Sequence, residues 1–363
     1  MQESKEGGSA GSPATADAKP SRRVRRPTIR EVAQLAGVSR MTVSRVVSEP
    51  NLVLPGTRER VQKAIADLDY VPDRAAGSLS SRRTGFIALM LPTLTNANFA
   101  AVAHGLTEAL REANYHLLIV YTEYDMVEEE RQLRNLLARR PEAIVLTGAT
   151  HNRNSSKLLL TADIPIVEIA DLPSRPIEHV IGFSNYQAGR TAARYLIDKG
   201  FRNIGAVGGS YEGDVVDHRG EERIRGFEDE LRHGGMSTDA VIRYGVAPLS
   251  YDHGASAIVE LLQRCPDTDA VFAVSDLSAV GIVMECQRRG ISVPDQISVM
   301  GFGNFEIGGE INPPLTTIHV DFNALGQLTG ELLIDLLASK GPAAMHRRDV
   351  GLDVIERKSV RMS

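Results

Sequence analysis

The sequence is poor in cysteine, with Cys265 and Cys286 the two in 363 residues. They show no CxxC spacing and no accompanying histidine cluster, which argues against a disulfide framework and a zinc site. Two buried structural thiols in a reducing cytoplasm are expected instead. No apolar run approaches the roughly 20 residues that span a bilayer, so no membrane partner is expected. The start MQESKEGGSAGSPATADAKP has no apolar core behind a basic end and reads as a disordered tail rather than a secretory signal. Catalytic sets are lacking as well: no Ser, His and Asp arrangement and no paired carboxylates stand out at strand ends. The run Gly205-Ala206-Val207-Gly208-Gly209 follows a strand, but it lacks GxGxxG spacing and a suitably placed acidic partner, which argues against a dinucleotide enzyme. No catalytic residue, metal or cofactor is expected.

What is present is an ordinary globular composition, 42% hydrophobic and 24% charged, over a length that implies two to three domains. The net charge of −5 is unevenly divided. From Arg22 to Arg83 there are 13 Lys or Arg against 6 Asp or Glu, a net of +7. The first 21 residues carry −1, which leaves −11 for Thr84 onward. A basic head on an acidic body suits a protein whose head alone faces phosphates and releases their condensed counterions.

In the head, Thr28-Ile29-Arg30-Glu31 has the capping-box pattern that opens a helix. Ile29, Val32, Ala33 and Ala36 follow at helical spacing, and Gly37 supplies the turn. Ser39 caps a second short helix from Arg40 to Val47, with Val43, Val46 and Val47 facing the first helix and Arg40, Met41, Ser44 and Arg45 facing outward. A third helix from about Thr57 to Leu68 closes a small core. Two short helices around a glycine turn form a helix-turn-helix. The outward arginines can pair bidentately with guanine O6 and N7. The plain alternative is a small bundle with a solvated basic face.

From Phe86 on, short apolar runs alternate with amphipathic helical stretches. Strands are expected at Phe86 to Leu91, His116 to Tyr121, Ala143 to Leu146, Ile204 to Val207, Ala270 to Val274 and Ser298 to Gly301. The alternation predicts two doubly wound parallel-sheet α/β subdomains with a ligand cleft between them.

The run TIREVAQLAGVSRMTVSRVV, followed by TRERVQKAIADLDYVPDRAAGSLSS, resembles the headpiece of the LacI/GalR family of bacterial repressors. The body resembles the periplasmic-binding-protein-like core of the same family. The stretches LPTLTNANFAAVAHGL and GFGNFEIGGEINPPLTTI are most similar to its gluconate-utilisation repressors. The resemblance implies a tail over 1–25, an all-α helix-turn-helix domain over 26–72, a hinge over 73–83 and an effector-binding and dimerisation domain over 84–363. It implies that Arg40 and Met41 read bases with Arg45 nearby, and that Thr28, Ser39, Thr42 and Ser44 contact phosphates. Arg74, Ala76 and Leu79 would meet DNA from the hinge, Leu79 as a minor-groove wedge. Taken alone, that hinge segment is poor helix material and reads as a linker.

For the effector, the resemblance places Arg223 at a ligand-contacting position, where a guanidinium fork suits a carboxylate or vicinal hydroxyls. An ordinary solvated helix charge is the alternative. Ser275 and Asp276 end a strand and open a helix, so Asp276 caps that helix, meets ligand, or does both. Thr93, Asn98, Phe99 and Thr147 follow strands and are assigned to the near wall. Where many family members carry an acidic residue, this chain has Gly303-Asn304, and Asn304 is assigned to the pocket. One anion fewer at the ligand favours a sugar acid such as gluconate, although Glu168 and Asp171, on the strand and loop after Pro165, add negative charge whose place relative to the ligand is open. The expected partners are double-stranded operator DNA with a pseudo-palindromic site, a small sugar-acid effector and a second copy of the chain. The reading is a cytoplasmic repressor. An activator, or a regulator answering another sugar or sugar phosphate, is the nearest alternative, with a solute-binding protein or an enzyme more distant.

Overall fold

Thr28 opens the first helix as the capping pattern requires. Its hydroxyl accepts from the Glu31 amide at 3.4 Å, and the Glu31 carboxylate accepts from the Thr28 amide at 2.7 Å. Helix α1 runs Ile29–Ala36, and Gly37 ends it in the left-handed region at φ 65°. Ser39 caps α2 (Arg40–Ser48), accepting from the Thr42 amide at 3.1 Å. Helix α3 spans Pro55–Asp67. It starts two residues before Thr57 because Pro55 sits in its first turn, where a missing N–H costs nothing. Val32, Ala33, Ala36, Val43, Val46, Val61 and Ala64 make the core. Val47 is not on that face; it is 42% exposed. The step of about 100° per helical residue carries it past a core this narrow.

The computed structural model describes residues 25–72, 84–339, 341 and 343–361. The chain divides into two units, Met1–Arg82 and Arg83–Ser363. Arg74, Ala76 and Leu79 lie outside the described residues.

The larger unit holds two sheets. The first contains β1 (Phe86–Leu91), β2 (His116–Tyr121), β3 (Ile144–Thr147), β4 (Ile166–Ile169), β5 (His179–Gly182) and β11 (Arg347–Asp349), in the order β11-β5-β4-β3-β1-β2. All its pairings are parallel. The second contains β6 (Ile204–Ser210), β7 (Val241–Val246), β8 (Ala270–Ala273), β9 (Ser298–Phe302), β10 (Thr316–His319) and β12 (Asp353–Ile355), in the order β12-β10-β9-β8-β6-β7. Only β12 runs antiparallel to its neighbour. Inner strands such as β1, β3 and β8 are apolar along their length because helices cover both faces of each sheet.

The chain passes between the sheets three times: after β5 into α7 (Asn185–Asp198), after β10 into α12 (Phe322–Ala338), and from β11 to β12. Helix α12 therefore returns to pack against α4 (Ala97–Arg111) of the first subdomain, while α7 packs against α8 (His218–His233) of the second. These pairs meet backbone to backbone through glycines. A Cβ on Gly189 would overlap the Arg223 carbonyl, and one on Gly226 the Tyr186 carbonyl. Gly105 and Gly326 do the same for α4 and α12. A third pair, Gly254 and Gly281, serves α9 (Tyr251–Arg264) and α10 (Asp276–Arg288).

Phe183, Phe302 and Phe322 meet where the chain crosses. Their ring centroids lie 5.8 Å apart for Phe183 and Phe302, and 5.9 Å for Phe183 and Phe322. Each such buried ring stabilises the junction by roughly 2–3 kcal/mol. Both cysteines are free thiols; Cys286 is buried in α10, but Cys265 is only half-buried, at the C-terminal cap of α9. Among the described residues no helix is long and apolar enough to cross a membrane.

Candidate functional site

On the smaller unit, Arg40, Met41, Ser44 and Arg45 project from α2, with Met41 73% exposed. The helix carries no acidic residue. Thr28, Ser39 and Thr42 are tied into helix starts: Thr28 to Glu31, and Ser39 to the Thr42 hydroxyl at 2.9 Å. This holds the outward arginines on a short, rigid helix.

In the larger unit the ends of β1, β4, β5, β7, β8 and β9 surround a cavity lined by Phe183, Phe302 and Phe322. Thr93, Asn98, Phe99, Arg223 and Ser275 are brought together there. Thr93 and Phe99 come from the segment after β1. Arg223 faces in from α8 (His218–His233), and Ser275 caps α10, accepting from the Leu277 amide at 3.3 Å.

Three sequence candidates are not on that wall. Thr147 lines an adjoining cavity, its hydroxyl donating to the Met90 carbonyl at 3.1 Å. Asp276 is fully buried behind Ser275, accepting from the Phe305 amide at 2.8 Å and the Thr317 hydroxyl at 2.7 Å. Burial pushes its carboxyl up to about 6, against those two hydrogen bonds. Asn304 turns outward to Arg357, whose guanidinium donates to its side-chain oxygen at 2.6 Å. A side chain on Gly303 itself would run into Phe305 and Asn98, at a φ of 124°. The missing acidic residue near 303 therefore tells little about the ligand.

The sequence reading passed over the groups that complete the wall: Tyr124, Asp217 and Arg219. Arg219 stands one helical turn before Arg223, so both guanidiniums leave the same face of α8. Asp217 lies between them, with its oxygens 3.9 Å from Arg219 and 3.7 Å from Arg223. Arg223 donates to Asn185 at 2.5 Å and lies 4.2 Å above the Phe302 ring. Its Nε is buried without a partner. Burial lowers the Arg223 guanidinium to about 10, opposed by Asp217; it stays charged near neutrality. Tyr124 is held well above the usual phenol range by burial and by Asp217.

The two subdomains are tied across this cleft. Arg219 donates to the Thr147 carbonyl at 3.0 Å, and Asn98 donates to the Gly303 carbonyl at 3.2 Å. The Met126 amide donates to Asp214 at 3.3 Å and the Val216 amide to Tyr124 at 3.1 Å. Glu168 and Asp171 also find their places. Asp171 lines the adjoining cavity. Glu168 is buried on β4, bonded to His151 at 3.2 Å and accepting from the Ile177 amide at 2.8 Å. Among the described residues there is no group of three His, Cys, Asp or Glu able to hold a metal ion.

Comparison with known proteins agrees with both halves. Residues 28–73 match the pattern of bacterial regulatory proteins of the lacI family, and residues 193–360 that of a periplasmic binding protein-like domain. The HTH-type transcriptional regulator GntR of Escherichia coli (strain K12) is 31% identical over 310 residues, covering 85% of this chain and 92% of that protein. The HTH-type transcriptional regulator CelR of Thermobifida fusca is 33% identical over 326 residues, covering 88% and 94%. The crystal structure of a LacI family transcriptional regulator from Silicibacter pomeroyi superposes with a TM-score of 0.71 at 40% identity, over 76% of this chain and 99% of that one. With a helix-turn-helix unit, two parallel-sheet α/β subdomains and relatives matching over most of its length, the chain belongs to the LacI family of bacterial regulatory proteins and is a DNA-binding transcriptional regulator.

Proposed function

We propose that this regulator is a cytoplasmic homodimer that represses sugar-acid metabolism genes from a pseudo-palindromic operator and answers gluconate, or a close keto or lactone relative. In this reading residues 26–72 bind DNA, 73–83 join the parts and 84–363 sense the effector and dimerise. The observation that carries the effector class is the cavity wall itself: Arg219 and Arg223 face it with one carboxylate, Asp217, between them. That arrangement leaves a cationic excess beside polar Thr93, Asn98 and Ser275, which suits a hydroxylated anion. The resemblance of residues 91–106 to gluconate regulators supports the same class. Effector binding that favours one closure state of the cleft changes operator affinity reciprocally, typically by about 1–3 kcal/mol.

A thermal-shift screen of sugar acids and sugar phosphates, followed by calorimetry, tests the effector. Gluconate should bind the wild type. Arg223→Met keeps much of the stem's packing and deletes the fork that lies over Phe302, so gluconate affinity should fall by roughly 10-fold or more. Equal affinity in both proteins would clear Arg223 of the role. On the DNA side, Arg40→Ala should relax base preference within the operator at a cost of about 1–3 kcal/mol. Thr28→Ala should instead weaken specific and random DNA alike. Equal losses on both DNAs for Arg40→Ala would remove it as a base reader.

A further inference from the structure

We infer that Arg219 is the residue by which the cleft tells an acid from the corresponding alcohol, and that it takes the effector's carboxylate while held against the first subdomain. The inference rests on the sugar-acid reading above and assigns the discriminating contact within it.

The two arginines are differently committed. Arg223 is enclosed: one guanidinium nitrogen is bonded to Asn185, another lies near Asp217, the Nε is buried, and its face rests on Phe302. Its freedom to reorient toward a ligand charge is small. Arg219 donates to a neutral acceptor, the Thr147 carbonyl, and its further hydrogen-bond neighbour is the Tyr124 phenol, which is neutral as well. Its guanidinium carbon stands 5.3 Å from the Phe99 ring centroid and 5.9 Å from that of Tyr124. The nearest carboxylate, Asp217, stays at 3.9 Å, beyond hydrogen-bond reach. Arg219 thus keeps an incompletely neutralised charge and faces both cavities, whose shared wall it forms with Tyr124 and Asp217.

The two cavities differ in sign, which sets the ligand's direction. On the Phe302 side the wall carries Arg219 and Arg223 against Asp217. On the other side Asp125, Glu129, Asp171 and Asp217 face Arg219 and His218. A carboxylate there would meet four acids, and burial holds His218 below the usual histidine range, so it adds little positive charge near neutrality. The carboxylate accordingly goes to the Phe302 side of Arg219, and the hydroxyl chain, rich in donors, runs toward the acidic cavity. Arg219 reaches out from α8 to the end of β3, so a ligand held by it is held by both subdomains at once.

Calorimetry with gluconate and with glucitol, its alcohol of equal chain length, tests this on the full-length wild type and on R219Q, R219K and R223Q. Glucitol is titrated directly or by competition. The wild type should prefer gluconate. R219Q should lose 10-fold or more of gluconate affinity with little change for glucitol, erasing the preference, whereas R223Q should weaken both. R219K, which keeps the charge but not the fork, should lose gluconate affinity by a smaller factor and serves if R219Q does not fold, as judged by its melting curve. An unchanged gluconate-to-glucitol ratio in R219Q, or equal losses for both ligands in R219K, overturns the inference and leaves the sugar-acid reading standing. If the wild type ignores gluconate but binds 6-phosphogluconate, and R219Q loses it, gluconate falls as the effector and the role of Arg219 holds. Binding of neutral sugars alone, or of neither class, overturns both.

Discussion

Gly189→Ala should lower the melting midpoint of the larger unit by about 10 °C, whereas Gly309→Ala should leave it unchanged or slightly raised. The added methyl at 189 would overlap the backbone carbonyl of Arg223, and Gly226 makes the reciprocal approach to Tyr186. No flexible side chain lies at that point, so the strain is relieved only by parting α7 from α8. Parting them opens the layer that buries Ala192, Leu196, Ile224, Phe227 and Leu231. Overpacking of this kind costs roughly 3–5 kcal/mol, at about 2–4 °C per kcal/mol for a unit of this size. Gly309, in the short helix Glu306–Glu310, has nothing within 4 Å of an added Cβ and no positive φ. Alanine there gains up to about 1 kcal/mol of helix propensity. Scanning calorimetry separates the two, and a Gly189→Ala protein that melts with the wild type would sink the close approach of α7 and α8.

His151 should make the larger unit lose stability as pH rises from about 6.5 to 9. The ring is sandwiched between Glu129, at 3.0 Å, and Glu168, at 3.2 Å, and its side chain is 4% exposed. Burial alone would push the imidazole down, but the two glutamates outweigh it and hold it up to about 9. A folded value above the unfolded 6.5 means that the native state binds the extra proton. The stabilisation is therefore complete below 6.5 and is lost as pH climbs through 9, a span of about 3 kcal/mol. Asp276, raised to about 6, acts in a separate and lower window, where stability falls between roughly pH 4 and 6. His151→Ala leaves Glu168 buried without its cation, so at pH 7 it should cost roughly 3–5 kcal/mol. It should also abolish the slope between 6.5 and 9. Urea unfolding at pH 6.5, 7.5 and 8.5 measures both effects, and parallel slopes in the two proteins would refute the charged triad.

The sequence disclosed what local chemistry controls. The Thr28 capping box, the Gly37 turn and the Ser39 cap were legible because each is a contact over three or four residues. Strands β1 and β2 were read to the residue, as six-residue apolar runs with no competing helical period. Strand β4 was legible as a strand after Pro165, but its buried Glu168 was not explained, since only His151, 17 positions away, shows how the charge is tolerated. Strand β11 is Arg-Arg-Asp and exposed, and no pattern marks such a segment as an edge strand. Arg219 was hidden in a helix of sequence HRGEERIRGFEDELRH, where arginine and glutamate alternate as they would on a solvated face. The spacing of four between Arg219 and Arg223 was the available clue. It becomes informative only once Ile224, Phe227 and Leu231 show which way the helix is turned. Asp276 and Asn304 were placed by position in the chain, and position does not reveal that Phe305, Thr317 and Arg357 occupy their polar atoms.

The three passages between the sheets also bear on how the protein is made. A ribosome that has released β1 to β5 has delivered most of the first subdomain, but not α12, which covers α4, nor β11, which pairs with β5. Both are encoded beyond nearly the whole of the second subdomain, which can assemble its strands β6 to β10 earlier. The subdomain that is translated first is thus completed late. Until residues 322–349 emerge, the apolar faces of α4 and the edge of β5 wait uncovered, the kind of surface on which nascent chains recruit chaperones or aggregate.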